Sequence, residues 1–352
     1  MTFNVFITGA TGYIGGQVLY ELLNSSSNSF KVTALIRSTE KAAKLQQATN
    51  NKVSTVIGNL DDCALMAEMV AKSDIIVNTA NVDHVPSAKV LSDVLAKSTS
   101  RKILIHTSGT SVIGDALDAK KGPSTKVYSD SKNIDEINSL DQSQPHRPVD
   151  EIVLDIHSRN NLVNTVIVCP STIYGVSNGF DNVLSIQVPT IMRLAAKKGQ
   201  PFTVYTGDYI WSNIHIHDLG NLYMLILEKL LKKEDIPVNK QGYYFGSYFL
   251  ENEVVTEKPS SIEHTWRDVA ITVGEKLKAR NVIDNAEVAE LQEDEVVALK
   301  NDEFAPYYWG TNSRTRGDNG KIIGWAPKFS GREEFSKAMD EEIDYLKLRK
   351  EL

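Results

Sequence analysis

Cysteine is scarce in this chain, with two in 352 residues, Cys63 and Cys169. Both sit in or beside apolar segments and are too few for a disulfide framework, so a reducing compartment is expected. No stretch reaches the ~18 apolar residues of a membrane span. No charged leader or apolar targeting run stands before the first strand-like segment. Excess positive charge is missing too: the formal net charge is -7, which argues against nucleic acid or an anionic membrane as the main partner. No internal repeat is evident. These absences leave a soluble, cytoplasmic protein acting on a small molecule as the expectation, its oligomeric state open.

What is present is a core. Hydrophobic residues make up 41%, enough to exclude wholesale disorder and to build one large or two smaller domains. Apolar runs alternate with helical patterns through the first half: Val5–Thr8, then a helix to about Leu23; Lys31–Ile36, then Lys41–Gln47; Val53–Ile57, then Cys63–Ala71; Asp74–Thr79, then Ser87–Ala96; then Lys102–Thr107. Each run is short, rich in Val, Ile and Leu, and unalternating, as for a parallel strand covered on both faces. The pattern predicts an α/β protein with a Rossmann-type doubly wound parallel sheet. Ligands bind such sheets outside the carboxyl ends of the strands.

Residues 114–149 are polar, carry Pro123, Pro145 and Pro148, and read as a long surface loop. A helix over about 149–161 and a strand over Val163–Cys169 follow. Beyond residue 175 the alternation loosens into helices such as Val183–Lys198 and Asp218–Lys232. Residues 250–304 are acidic and helical in part. The expected division is 1–175 for the nucleotide-binding domain, with contributions continuing to about 245, and 176–352 for a smaller substrate or cap region interleaved with it.

The first turn carries the strongest functional signal. Val5-Phe6-Ile7-Thr8-Gly9-Ala10-Thr11-Gly12-Tyr13-Ile14-Gly15 is a buried strand, a glycine turn and a helix start, the context in which spaced glycines bind a dinucleotide. Gly9 makes the sharp turn, Gly12 lets backbone approach a pyrophosphate, and Gly15 lets the helix pack on the strand. Backbone N–H groups of Thr11, Tyr13 and Ile14 and the helix dipole favour the phosphate charge. An NAD-selective fold places Asp or Glu at the end of the second strand. Here Ile36 is followed by Arg37 and Ser38, a fork of donors and a hydroxyl suited to a 2′-phosphate, so NADP(H) is favoured over NAD(H). Asn59 and Leu60 offer an edge for adenine, and Thr79 and Ala80 a small-residue passage for the cofactor backbone.

With these residues in hand, the chain resembles the short-chain dehydrogenase/reductase superfamily, in its extended or atypical branch, and within that the fungal NAD(P)-binding proteins of epimerase/dehydratase-like type. The family's TGxxGxxG loop is Thr8 to Gly15. Its Ser/Thr cluster after the fifth strand resembles His106-Thr107-Ser108-Gly109-Thr110-Ser111-Val112. Its proline-containing strand end resembles Val168-Cys169-Pro170-Ser171-Thr172-Ile173-Tyr174-Gly175, which adds Pro170, Thr172 and Ile173 to the expected cofactor contacts. Ser212 to Leu219, Asn312-Ser313-Arg314 and Gly324-Trp325-Ala326-Pro327 also fit, so the match covers nearly the whole chain.

The resemblance implies a Tyr and a Lys four residues later on one helix face, beside a Ser or Thr from the fifth strand, with the Lys and the cofactor lowering the tyrosine pKa for proton exchange. Tyr128 and Lys132 are the literal match, but acidic and polar neighbours flank them and no apolar stripe continues from Lys132. The second candidate follows the spacing in relatives: 24 residues before Pro170 lies His146, with Asp150 four further on. Pro148 suits a helix's first turn, so the preferred reading starts the helix there, with Tyr replaced by His146 and Lys by Asp150. The usual Ser then falls at Gly109, leaving Ser108, Thr110 and Ser111 nearby. His146 is an acid or base candidate near neutral pH, or equally a residue that caps or packs at the helix start.

Other residues read as structural or remain open. His215, His217 and Asp218 have a metal-like spacing without a further partner, so no metal is expected and Asp218 is read as a helix N-cap. Tyr205, Tyr209 and Trp211 are read as cap core before substrate wall. Tyr174 lines a nicotinamide pocket or packs. Arg314 and Arg316 bind an anionic group or form surface ion pairs. The leading functional expectation is an NADP(H)-dependent oxidoreductase acting on a small carbonyl compound. The alternatives are a non-catalytic NADP(H) sensor and, more weakly, a nucleotide-sugar epimerase or dehydratase.

Overall fold

Unalternating runs of Val, Ile and Phe are satisfied only between two helical layers, and the computed structural model, which describes residues 2–248, 255–329 and 331–352, puts them there. Five strands, β1 (Thr2–Thr8), β2 (Ser29–Ile36), β3 (Val53–Ile57), β4 (Ile75–Asn78) and β5 (Lys102–Thr107), are joined by Val163–Pro170 and Tyr243–Gly246 as sixth and seventh. All pair in parallel, in the order third, second, first, fourth, fifth, sixth, seventh. The order reverses between β1 and β4, which opens a crevice at their carboxyl ends.

The pleat sends neighbours to opposite layers. Val5 and Ile7 pack with Val18, Leu19 and Leu22 of helix α1 (Tyr13–Asn24) and with Leu219 and Leu222 of helix Ile216–Leu231. Phe6 packs with Met66 of α3 (Cys63–Lys72), Leu91 of α4 (Val85–Leu95) and Val153 of helix Arg147–Arg159. Helix α2 (Thr39–Ala48) covers the outer strands through Ala42 and Leu45. A second core gathers Val188, Met192, Phe202, Trp266, Trp309 and Ile343 from helices Gln187–Lys198, Trp266–Ala279 and Arg332–Leu348 and the segments between them. Tyr205, Tyr209 and Trp211 belong to it, as cap core. Of the acidic stretch 250–304, residues 250–254 lie outside the described residues.

Residues 114–149 are more than a surface loop. Tyr128–Ser129 forms a short strand beside Thr315–Arg316, and Ile134–Asn138 is a helical turn. Asp130 is fully buried and accepts the backbone N–H groups of Phe245 (2.8 Å) and Asn319 (2.9 Å). Burial pushes its carboxyl up to about 8, against those two N–H groups, which favour the charge. The run is polar because it ties distant backbone together.

Arg314 also departs from expectation. It is buried against buried Glu263 in a two-pronged pair (2.8 and 2.7 Å), and its remaining fork reaches the carbonyls of Ser124 and Thr256. It is spent on structure. Arg316 pairs with Asp318 at 3.3 Å.

Two stability predictions follow from this packing. Arg314→Met leaves the Glu263 charge buried without its partner and should cost about 3–5 kcal/mol in denaturant unfolding, with Glu263→Leu added on top recovering most of it. Gly15→Ala should cost about 1–3 kcal/mol or more, because its Cβ would sit 2.2 Å from the Gly9 carbonyl oxygen. Unchanged unfolding midpoints would contradict both.

Candidate active site

The glycine turn is shaped by two close approaches. Gly9 has φ +77°, and a Cβ there would lie 2.6 Å from the Thr79 carbonyl oxygen; one at Gly15 would meet Gly9 and the Thr79 hydroxyl. The turn is closed by Gly12 N–H donating to Gly9 O at 2.8 Å. Helix α1 then starts from Gly12 with no side-chain cap and no acidic residue in its first turn. Its first N–H groups and dipole are left to an outside anion. A dinucleotide's diphosphate fits this cradle, and Gly9, Thr11, Gly12, Tyr13, Ile14 and Gly15 all belong to it. Tyr13 itself is buried, its hydroxyl donating to Gly175 O at 2.6 Å.

The other expected cofactor residues lie along the same carboxyl edge. Arg37 is exposed just beyond β2. Ser38 caps α2, its hydroxyl accepting the Lys41 N–H at 3.2 Å. Asn59 is exposed after β3 and its side chain accepts the Asp61 N–H; Leu60 is half-buried. Thr79 donates its hydroxyl to Thr8 O at 2.7 Å beside Ala80. Pro170 and Thr172 are buried and Ile173 half-buried at the sixth strand's end. The segment after Tyr174 folds back over the turn: Asn182 N–H donates to Thr11 O, and Asp181 pairs with Lys41 at 2.8 Å.

The literal Tyr/Lys pair is not assembled on a helix. Tyr128 lies in the two-residue strand and Lys132 in an exposed turn before helix Ile134–Asn138. Burial and Glu136 raise the Tyr128 pKa, with the Lys126 ammonium over the ring opposing them more weakly. That is the direction away from a proton-exchanging phenol.

His146 stands at the head of helix Arg147–Arg159, in left-handed backbone (φ +67°). Its Nε2 is 2.7 Å from Ser111 Oγ, and its Nδ1 is 2.8 Å from Asp83 Oδ1. The side chain is 15% exposed and that of Asp83 58%. The hydrogen bond from His146 holds the Asp83 carboxyl below its usual range, against a smaller effect of burial. A Cβ at Gly109 would lie 3.1 Å from the same Nε2. Asp83, in the turn after β4, escaped the sequence reading because nothing in its polar loop marks it.

Asp150, one turn along, does not face the mouth. It is fully buried and accepts the hydroxyls of Ser108 (2.9 Å) and Tyr243 (3.1 Å) on Oδ2. Its Oδ1 faces His106 Nε2 at 3.7 Å. Burial pushes Asp150 up to about 7 and His106 down to about 3. His106 Nδ1 is 3.0 Å from Asn78 Nδ2, and Asn78 Oδ1 accepts the Thr8 hydroxyl at 2.6 Å. Ser108 is therefore committed below the site, and Thr110 is buried at 1% exposure.

The metal-like histidines are packing residues. His215 stacks on Phe329, with Tyr174 edge-on, and no metal-binding group is found among the described residues. His215, not Asp218, caps helix Ile216–Leu231; Asp218 instead accepts the N–H groups of Lys328 and Phe329. Tyr174 is buried with its hydroxyl on Phe329 O.

Comparison with known proteins agrees with this architecture. The model of the NAD-dependent epimerase/dehydratase family matches residues 5–238. "Oxidase ucsJ" of Acremonium sp is 30% identical over 338 residues, 93% of each chain. Among solved structures, dTDP-glucose 4,6-dehydratase of Bacillus anthracis with NAD aligns at TM-score 0.65 and 16% identity, covering 99% of this chain and 98% of that one. UDP-glucose 4-epimerase of Thermotoga maritima with UDP-glucose aligns at TM-score 0.62 and 13% identity, over 98% and 99%. A nucleotide cradle at the β1/β4 crevice, a seven-stranded parallel sheet and a family match over two-thirds of its length place this chain in the NAD-dependent epimerase/dehydratase family, within the extended short-chain dehydrogenase/reductases.

Proposed function

We propose that this protein is an NADP(H)-binding oxidoreductase that reduces a small carbonyl compound in the crevice beyond β4, β5 and the sixth strand. The observation that carries the reading is the acid–base cluster of Asp83, Ser111 and His146 beyond the carboxyl ends of β4 and β5. A bound dihydronicotinamide supplies the hydride; the chain's own residues hold the cofactor and supply the proton. The backbone N–H groups at the start of α1 hold the diphosphate. Exposed Arg37, with no carboxylate in its place at the end of β2, takes the 2′-phosphate. Two free cysteines suit a reducing, cytoplasmic compartment.

A nucleotide-sugar epimerase or dehydratase is the reading the solved neighbours favour. It is weaker because Tyr128 and Lys132 share no helix. Replacement of the Lys position by buried Asp150 favours a cofactor-sensing protein, but a sensor has no need of the histidine cluster at the mouth.

Calorimetric titration should show NADPH binding tighter than NADH, and Arg37→Ala should weaken NADPH about 10- to 100-fold, the worth of one charged hydrogen bond, with little effect on NADH. Equal affinities would remove the assigned role of Arg37. NADPH oxidation across a panel of aldehydes and ketones should find turnover that survives Tyr128→Phe. Tight NADPH binding with no turnover on any of them would move the assignment to the sensor.

A further inference from the structure

The imidazole of His146 has no nitrogen left to offer a substrate. Nδ1 is engaged by Asp83 and Nε2 by Ser111. A hydroxyl, by contrast, donates one hydrogen and accepts on two lone pairs, so Ser111 retains capacity after meeting the ring. Ser111 is half-exposed just beyond β5, whereas Ser108 is bonded to Asp150 and Thr110 is buried. A Cβ at Gly109 would sit tight against His146 Nε2, at 3.1 Å, and the hydroxyl that meets the ring comes from Ser111, two residues along the turn.

We propose, building on the carbonyl-reductase reading, that Ser111 is the residue that touches the substrate oxygen, and that His146, oriented by Asp83, restores its proton. As hydride reaches the carbonyl carbon and the C=O π bond breaks, the oxygen takes the Ser111 hydroxyl proton. Ser111 Oγ takes one from the Nε2–H of the imidazolium, which becomes neutral imidazole with Nδ1–H still on Asp83. The products are the alcohol, the oxidised nicotinamide and neutral His146. Water entering the emptied mouth then re-protonates Nε2 through Ser111.

The charged and titratable groups around the ring are these. Asp83 meets Nδ1 from the β4 turn, and Asp150 lies one turn below, its own carboxyl pushed up to about 7 by burial. His106 beneath is kept neutral by burial, which spares the ring a second positive charge. Arg147, the next residue, directs its guanidinium to Asn138, Leu140, Tyr243 and Glu151. Tyr308 is coupled to Asp83 electrostatically.

The test uses the full chain with NADP(H) bound and two independent readouts. In steady-state assays, Ser111→Ala and His146→Gln should each lower kcat about 100-fold or more. Their double variant should be no worse than the poorer single one. Ser111→Thr should keep most of the rate, and NADPH affinity should stay within about twofold in every variant. By NMR at fixed pH, the His146 ring resonances should move in both Asp83→Asn and Ser111→Ala. An active protein whose Ser111→Ala variant keeps the wild-type rate overturns the relay alone. His146 ring resonances indifferent to Asp83→Asn and Ser111→Ala overturn it whether or not a substrate is known. Coupled ring resonances in a protein that binds NADPH yet reduces no carbonyl overturn the reaction itself, and proton delivery with it.

Discussion

The glycine turn pressed against the end of β4 is what the site is built on. Gly9 and Gly15 meet backbone and hydroxyl at distances no side chain tolerates. The Thr79 hydroxyl ties β4 back to Thr8 on β1, so the two strands that flank the crevice are held where their crossover connections diverge. The same row of the sheet continues inward. Thr8, Asn78 and His106 sit in register across β1, β4 and β5, and their side chains form one chain of polar contacts beneath the mouth.

That chain makes physical sense of the departures from the family pattern. With Asn78 donating to His106 Nδ1, the neutral ring carries its proton on Nε2, pointing at Asp150. Asp150 receives hydroxyl donors from Ser108 and Tyr243 on Oδ2, and its Oδ1 faces the His106 ring at 3.7 Å without a hydrogen bond. A lysine at 150 would bury an ammonium beside the Ser108 and Tyr243 hydroxyls with no carboxylate to offset its charge. Asp150, His106 and Ser108 thus form a matched set, and Gly109 with His146 a second one above it. Each set is consistent inside, and neither admits the residue the family usually has.

How much of this was legible in the sequence follows from what kind of contact each part rests on. The strands through β5 showed themselves as unalternating apolar runs, with bounds close to those observed, because β1, β2, β4 and β5 are buried on both faces along most of their length. The helix after Pro148 was legible from its apolar spacing, and it begins at Arg147. Asp83, Asp130 and Glu263 were not legible, since their partners lie 63, 115 and 51 residues away. Local pattern treats a lone acid in a polar run as solvated. Only the sheet register and the return of the C-terminal segments decide that these carboxylates are engaged.

The cap is joined to the cradle by a contact of the same kind. Glu342, fully buried on helix Arg332–Leu348, accepts the Gly175 N–H at 2.8 Å, and the Gly175 carbonyl accepts the Tyr13 hydroxyl at 2.6 Å. Gly175 has φ +90°, and a Cβ there would strike the His215 ring at 2.3 Å, so one residue serves both cores and that residue is glycine. Burial raises the Glu342 carboxyl to about 8, against the Gly175 N–H, which favours its charge. The second core is therefore indexed to the first turn of α1 through one residue. The position of the second core relative to the glycine turn is thus fixed through hydrogen bonds to both sides of Gly175, not through packing alone.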